Sequence, residues 1–312
     1  FYLFALWRGL KGEEVAHIFS ASYWSFLLAP LPALVMAKLR GVKVLLNYHS
    51  GEAKDHLSRW RSARPVLRRA DCLVVPSGYL ADVFREFGLH AHVVPNAVDE
   101  TQFRYRLRQP LEPRLVCTRG FGAYYHVDHV VRAFARVQQA FPHATLSLPG
   151  TGPEEARVRS LARELGLSGV DFAGAVPREK MGIYYDRADI FINASWLDNM
   201  PLSILEAFAS GTPVVSTAPE GIRYLVRHEQ TGLLCEPGEW ESLATNVIRL
   251  LGDSALALRL SQNAYEESKK YRWESVRGQW LEVYGSLLGR DLHTAEGSAH
   301  VAVEQEQPTA RV

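Results

Sequence analysis

Short apolar, β-branched runs alternate with longer stretches of helical period along almost the whole chain. That alternation confines the fold to parallel sheets built from strand–helix–strand units. The fold class it implies is α/β. Strand-like runs fall at 15–20, 42–48, 72–75 and 92–94 in a first series, and at 114–118, 145–148, 170–172, 190–193, 213–216 and 232–234 in a second. Between the two series, 104–113 is polar, carries Pro110 and Pro113 and has no period, which is how a linker reads. The chain thus divides into a first doubly wound, Rossmann-like domain over 1–105 and a second over 106–290. The opening residues, Phe1 to Leu10, read as the end of an amphipathic helix, so the first domain is expected to be incomplete. Near the end, Trp273, Val276, Trp280, Val283, Tyr284 and Leu287 fall three and four apart, the stripe of one long helix closing the second domain. Residues 291–312 have too few large apolar side chains to offset their ordering entropy and are expected to be disordered.

With 312 residues, two cores are expected, and 47% hydrophobic with 22% charged residues describes a globular protein. A net charge of +1 supplies no general attraction for a polyanion, which disfavours a nucleic-acid partner. Three scattered cysteines, Cys72, Cys117 and Cys235, read as reduced core residues, and the expected location is the cytoplasm. The most apolar stretch, 19–37, is broken by Pro30 and Pro32 and carries three serines, so it reads as a buried helix and not as a membrane span. Trp24, Phe26, Leu27 and Leu28 within it offer an alternative, peripheral contact with the inner face of a membrane.

In open parallel sheets ligands bind beyond the carboxyl ends of the strands. The loop after 190–193 runs through Asp198, Asn199 and Met200 to a helix opening at Pro201, whose free amides and dipole suit phosphate or sugar oxygens. In that helix the polar residues Ser203, Glu206 and Ser210 recur at i, i+3 and i+7 on one stripe. Such a stripe alone is a solvated face; on a helix between sheet and cleft, an otherwise unpaired carboxylate asks for a partner, and ribose hydroxyls would serve. Gly211 ends the helix, and Thr212 and Pro213 turn into the next strand.

The run from Asp198 through Glu206 to Gly211, Thr212, Pro213, Val214 and Val215 resembles the nucleotide-binding segment of the family 4 retaining glycosyltransferases of GT-B fold, also called group 1. Val94, Pro95, Asn96, Ala97, Val98 and Asp99 resemble the end of that family's first domain, as Val75, Pro76 and Ser77 resemble another landmark. The resemblance implies two Rossmann-like domains facing a cleft and a nucleoside diphosphate sugar as donor substrate. It implies transfer of a hexose-type sugar to a hydroxyl acceptor with retention, with no cofactor and no bound metal. Glu206 takes the role of holding the ribose, and Asp198, one methylene shorter than the family's Glu, lies near the donor sugar. Backbone amides of Asn199, Met200, Pro201 and Leu202 are assigned to sugar hydroxyls or phosphate. Arg119 matches the arginine that stabilises the leaving diphosphate, and His49 matches a histidine near donor sugar and acceptor. Gly150 and Gly152 match a loop beside the donor, for which an ordinary turn is an equal reading.

The chain departs from the pattern in one charge: 120–126 contains no lysine, and Tyr124 or Tyr125 stands near where the family has one. No glycine-rich loop of the kind that opens the family precedes Val15, so the chain as given is expected to be inactive or weak. The alternative is a donor-binding or scaffold protein that has lost turnover. A nicotinamide enzyme fits less well, since Glu155 stands where the third glycine of that fingerprint, begun by Gly150 and Gly152, belongs.

Overall fold

The computed structural model describes residues 2–292. The expectation of a disordered tail falls almost wholly on 293–312, which lie outside the described residues. Two parallel sheets carry the fold. The first holds β1 (Val15–Ser20), β2 (Lys43–Tyr48), β3 (Cys72–Val75) and β4 (His92–Val93) side by side in chain order. The second holds β5 (Arg114–Val116), β6 (Thr145–Pro149), β7 (Val170–Gly174), β8 (Ile190–Asn193), β9 (Val214–Thr217) and β10 (Leu233–Cys235), ordered β10-β9-β8-β5-β6-β7. Its strand order reverses between β5 and β8, the switch point at which doubly wound sheets open a crevice.

Helices cover both faces of the second sheet, so its central strands are apolar without alternation; all four residues of β8 and of β9 are buried. On one face Leu115, Leu146, Ile192 and Val215 meet helix Val127–Ala140 and its neighbours, and on the other Val116, Phe191 and Val214 meet helices Met181–Arg187 and Leu202–Ala209. The polar segment after residue 103 has no regular structure, yet it is not loose. Arg108 is buried and donates to the carbonyls of Tyr185, Ala188 and Ser210, while Arg106, Arg108 and Arg114 surround the buried Asp189 at 2.7–3.8 Å. Removing Asp189 alone would leave the buried Arg108 without its carboxylate, while Arg106 keeps Asp186 at 3.4 Å.

Two sequence expectations are corrected. The closing helix, Trp273–Leu288, returns to the first unit, where Val276 and Val283 pack on Leu45, Val74 and Val94. Its apolar stripe required a partner but did not name one. The 19–37 stretch is not one buried helix: Pro30 opens a second helix, giving Tyr23–Leu28 and Pro30–Leu39. Phe26, Leu34 and Ala37 are buried, whereas Trp24 and Leu28 are 66% and 67% exposed. Among the described residues no helix is long and apolar enough to cross a membrane. The cysteines are free, with Cys117 buried and Cys72 and Cys235 partly so.

Candidate functional site

Arg119 leaves the carboxyl end of β5, and the loop carrying Asp198 leaves that of β8, so the switch point brings them together across one strand spacing. Arg119 donates to Asp198 Oδ2 at 2.6 Å and to Ser203 Oγ at 3.1 Å, and its guanidinium lies 4.0 Å from the centroid of the Tyr125 ring. Both members of the ion pair are largely withdrawn from water. Burial raises the Asp198 carboxyl, while Arg119 and the Asn199 amide act the other way.

Gly150 and Gly152 hold the Arg119 loop from behind. A Cβ on Gly150, whose φ is 141°, would stand 3.0 Å from the Arg119 carbonyl oxygen. A Cβ on Gly152 would stand 2.6 Å from the Phe121 carbonyl. Hydrogen bonds from Phe121 N to Thr151 O (3.1 Å) and from Glu154 N to Phe121 O (2.9 Å) join the two loops. Only residues without a side chain let these backbones lie together, and this is the close-turn role that the sequence left open beside direct ligand contact.

Glu206 is 9% exposed, on the fully packed helix Leu202–Ala209. Its Oε2 accepts from the Tyr185 hydroxyl at 2.9 Å. Tyr185 is itself wholly buried and meets Thr118 Oγ1 at 2.7 Å and the Ser203 carbonyl at 2.9 Å. Burial raises the Glu206 carboxyl, offset by the Tyr185 hydrogen bond and by the charges of Arg178 and Arg119. Ser203 links the two groups, its Oγ accepting from Arg119 and its carbonyl lying at the Tyr185 hydroxyl that serves Glu206, one helical turn further on. Ser203 and Ser210 are buried as well, so the predicted polar stripe is not a surface.

The second loop's contacts correct part of the expected amide cradle. The Asn199 amide is taken by Asp198 Oδ1 at 2.9 Å, and Pro201, which caps the helix, has no N–H to give. Asn199 and Met200 instead bind the first unit: Ser77 Oγ donates to Asn199 Oδ1, and Asn96 Nδ2 donates to Met200 O at 2.9 Å. Tyr124 to Glu52 (2.9 Å) and Tyr224 to Asp82 (2.7 Å) also cross the cleft. Two cavities lie between the units on either side of these contacts: one of about 380 Å³ lined by Ser77, Pro95, Met200 and Tyr224 among others, and one of about 280 Å³ lined by His49, Ser50, Glu52, Tyr125, Asp198 and Met200 among others. His49 follows β2 and reaches it; burial pushes its imidazole below the usual value, keeping the ring neutral, and its Nε2 has no partner. Tyr185 and Arg178 are the residues the sequence reading missed. Neither sits in a strand-end loop of the switch point: Tyr185 comes from helix Met181–Arg187 and Arg178 from the 3-10 turn Arg178–Lys180 before it, both after β7. One group among the described residues could hold a metal, His126, Asp128 and His129, and it does not line this cavity.

Two Rossmann-like domains facing a crevice, the second doubly wound with an arginine and a carboxylate paired at its switch point, define a GT-B protein. The chain belongs to the glycosyl transferases group 1 family, whose model matches residues 99–267, and the Glycosyltransferase Family 4 model matches 1–102. Among relatives, an exopolysaccharide phosphotransferase of Streptomyces coelicolor is 32% identical over 74% of this chain and 25% of its own length. The lipopolysaccharide core biosynthesis glycosyltransferase LpsE of Rhizobium meliloti is 27% identical over 79% of this chain and 74% of its own. The chain spans 25% and 45% of the first two curated relatives it matches. Two solved structures share the fold: sucrose-phosphate synthase of Thermosynechococcus elongatus, with a TM-score of 0.78 and 23% identity over 92% of this chain and 77% of that one, and Anabaena HepE in complex with UDP-glucose, with 0.78 and 19% over 91% and 82%.

Proposed function

We propose that the protein transfers a hexose-type sugar from a nucleoside diphosphate sugar to a hydroxyl acceptor with retention of configuration. The observation that carries this reading is the pairing at the switch point: Arg119 reaches Asp198 at 2.6 Å and Ser203 Oγ at 3.1 Å, one helical turn before Glu206. Glu206 would accept hydrogen bonds from the ribose, held in aim by Tyr185. The diphosphate would take over the Arg119 guanidinium, a fork suited to phosphate oxygens, and release Asp198 to a sugar hydroxyl. As the bond from anomeric carbon to phosphate oxygen breaks, that phosphate would accept the proton of the incoming hydroxyl on the same face, so no protein nucleophile is required. His49, neutral and unpartnered at Nε2, would hydrogen-bond the sugar.

A second reading, donor binding without turnover, draws on the absent lysine and on an Arg119 whose charge is already met by Asp198. Calorimetry with UDP, GDP and ADP, followed by a screen of the matching nucleotide sugars for turnover, separates the two. Glu206→Ala is expected to abolish binding of the preferred nucleotide; unchanged affinity refutes the site. Binding without hydrolysis or transfer selects the second reading. The exposed Trp24, Leu27 and Leu28 support a peripheral contact at the inner membrane face. Sedimentation with anionic vesicles tests it, and equal recovery of wild type and Trp24→Ser/Leu28→Ser rejects it.

A further inference from the structure

His126, Asp128 and His129 stand at the start of helix Val127–Ala140, and one ligand atom from each lies within 4.8 Å of the other two. The donor site explains nothing about this cluster. His126 holds a left-handed backbone, φ 43° and ψ 51°, which a residue with a side chain seldom keeps without compensation. It occupies the cap position yet makes no capping hydrogen bond with its side chain. Its Nδ1 is buried and has no hydrogen-bond partner. The nearest acid, Asp128 Oδ1, is 3.5 Å away, too far for a good hydrogen bond. That spacing has another meaning: two ligands each about 2.1 Å from a tetrahedral zinc ion stand about 3.4 Å apart.

We propose that His126, Asp128 and His129 bind a divalent cation of the zinc class through two imidazole nitrogens and one carboxylate oxygen, with a position left for water. The donor set suits a borderline metal and not magnesium or calcium, which take oxygen ligands. Trp196 holds the imidazoles in place, stacking on His126 at 4.3 Å and presenting its ring to His129 edge-on at 6.2 Å. Arg157 competes for the acid, with Nη2 3.3 Å from Asp128 Oδ2. It is mostly exposed and is also held by Glu154 at 2.7 Å, so it turns away without disturbing the core.

The site would act on the crevice through one short segment. Tyr125, next to His126, lies under the Arg119 guanidinium, and the Tyr124 carbonyl accepts from Trp196 N at 2.8 Å. A cation fixed between His126 and His129 would stiffen the segment that supports Arg119, whatever the donor.

The test is calorimetric titration of Zn²⁺ alone into the chelator-treated full chain. Saturable binding of one ion is expected, weakened at least tenfold in His129→Gln and in His126→Asn. Asparagine tolerates the left-handed backbone, so the second variant removes the ligand and keeps the turn. Absence of saturable binding, or wild-type affinity in both variants, overturns the proposal. Should a variant lose its circular dichroism spectrum, Co²⁺-loaded wild type decides instead: visible d–d bands of a nitrogen-containing ligand set support the site, and their absence overturns it.

Discussion

Tyr185→Phe isolates the hydroxyl that aims Glu206. The ring stays, and with it the edge-on contact to Phe103 at 5.4 Å and the stacking on Phe191 at 6.0 Å, so no cavity opens. What disappears is one oxygen that shares hydrogen bonds with Thr118, the Ser203 carbonyl and the Glu206 carboxylate. A hydroxyl has a single proton, so it serves Glu206 or Ser203 at any moment, and Thr118 donates to it. A hydrogen bond to a charged acceptor contributes about 1.5–3 kcal/mol, and Thr118 keeps the option of another partner. The expected loss is therefore about 2 kcal/mol, a fall in Tm of about 3 °C for a chain of this length. Burial already raises the Glu206 carboxyl and the Tyr185 hydrogen bond restrains it. The variant should therefore hold Glu206 protonated to a higher pH and bind its nucleotide about tenfold less tightly at neutral pH. Differential scanning calorimetry and nucleotide titration read both effects. A melting point and an affinity equal to wild type would show that Tyr185 only fills space.

Three further outcomes follow from the same geometry. Glu206→Gln should stabilise the ligand-free protein at pH 7.5: a carboxyl raised on folding contributes stability below its unfolded value and loses it as pH rises through the folded one. The gain over wild type should shrink as pH falls towards the ordinary carboxylate range, and thermal melts showing a pH-independent gap would contradict this. Gly152→Ala, whose Cβ would meet the Phe121 carbonyl at 2.6 Å, should cost more than about 2 kcal/mol and weaken nucleotide binding, whereas Gly278→Ala, with nothing within 4 Å in the closing helix, should stabilise by about 0.5–1 kcal/mol in chemical denaturation. His49, depressed by burial, should stay neutral from about pH 6.5 upward, so nucleotide affinity in titrations between pH 7 and 8 should not follow a histidine; a step removed by His49→Gln would contradict this.

Much of this was legible in the residues because the signals are local. Every strand run appears, with ends displaced by at most two residues, since apolar β-branched segments between helical stretches have few other uses. Asp198 and Arg119 could be set at the crevice because each follows a strand end, whereas the role of Glu206, on the helix behind, rested on its polar stripe and on the family resemblance. What escaped was tertiary. Nothing in the spacing of Tyr185 or Arg178 ties them to Glu206, and nothing in the free sequence shows that Asp198 spends its reach on Arg119. The amides of Asn199 to Leu202 were read as a cradle, yet one closes on its own neighbour's side chain and Pro201 has none. The closing helix advertised an apolar stripe, and only the packing reveals that the stripe belongs to β2 and β3.

That return of the closing helix means the polypeptide passes between the two units twice. The two passages are sewn together: Val98 pairs with Arg272, Val98 N donates to Tyr271 O at 2.8 Å, and Arg272 meets Glu100 at 2.6 Å. A single tether would let the units swivel freely. A doubled, cross-stitched one restricts how the units can shift against each other, so Asp198 and His49, which line one cavity from opposite units, should be held in the same facing positions.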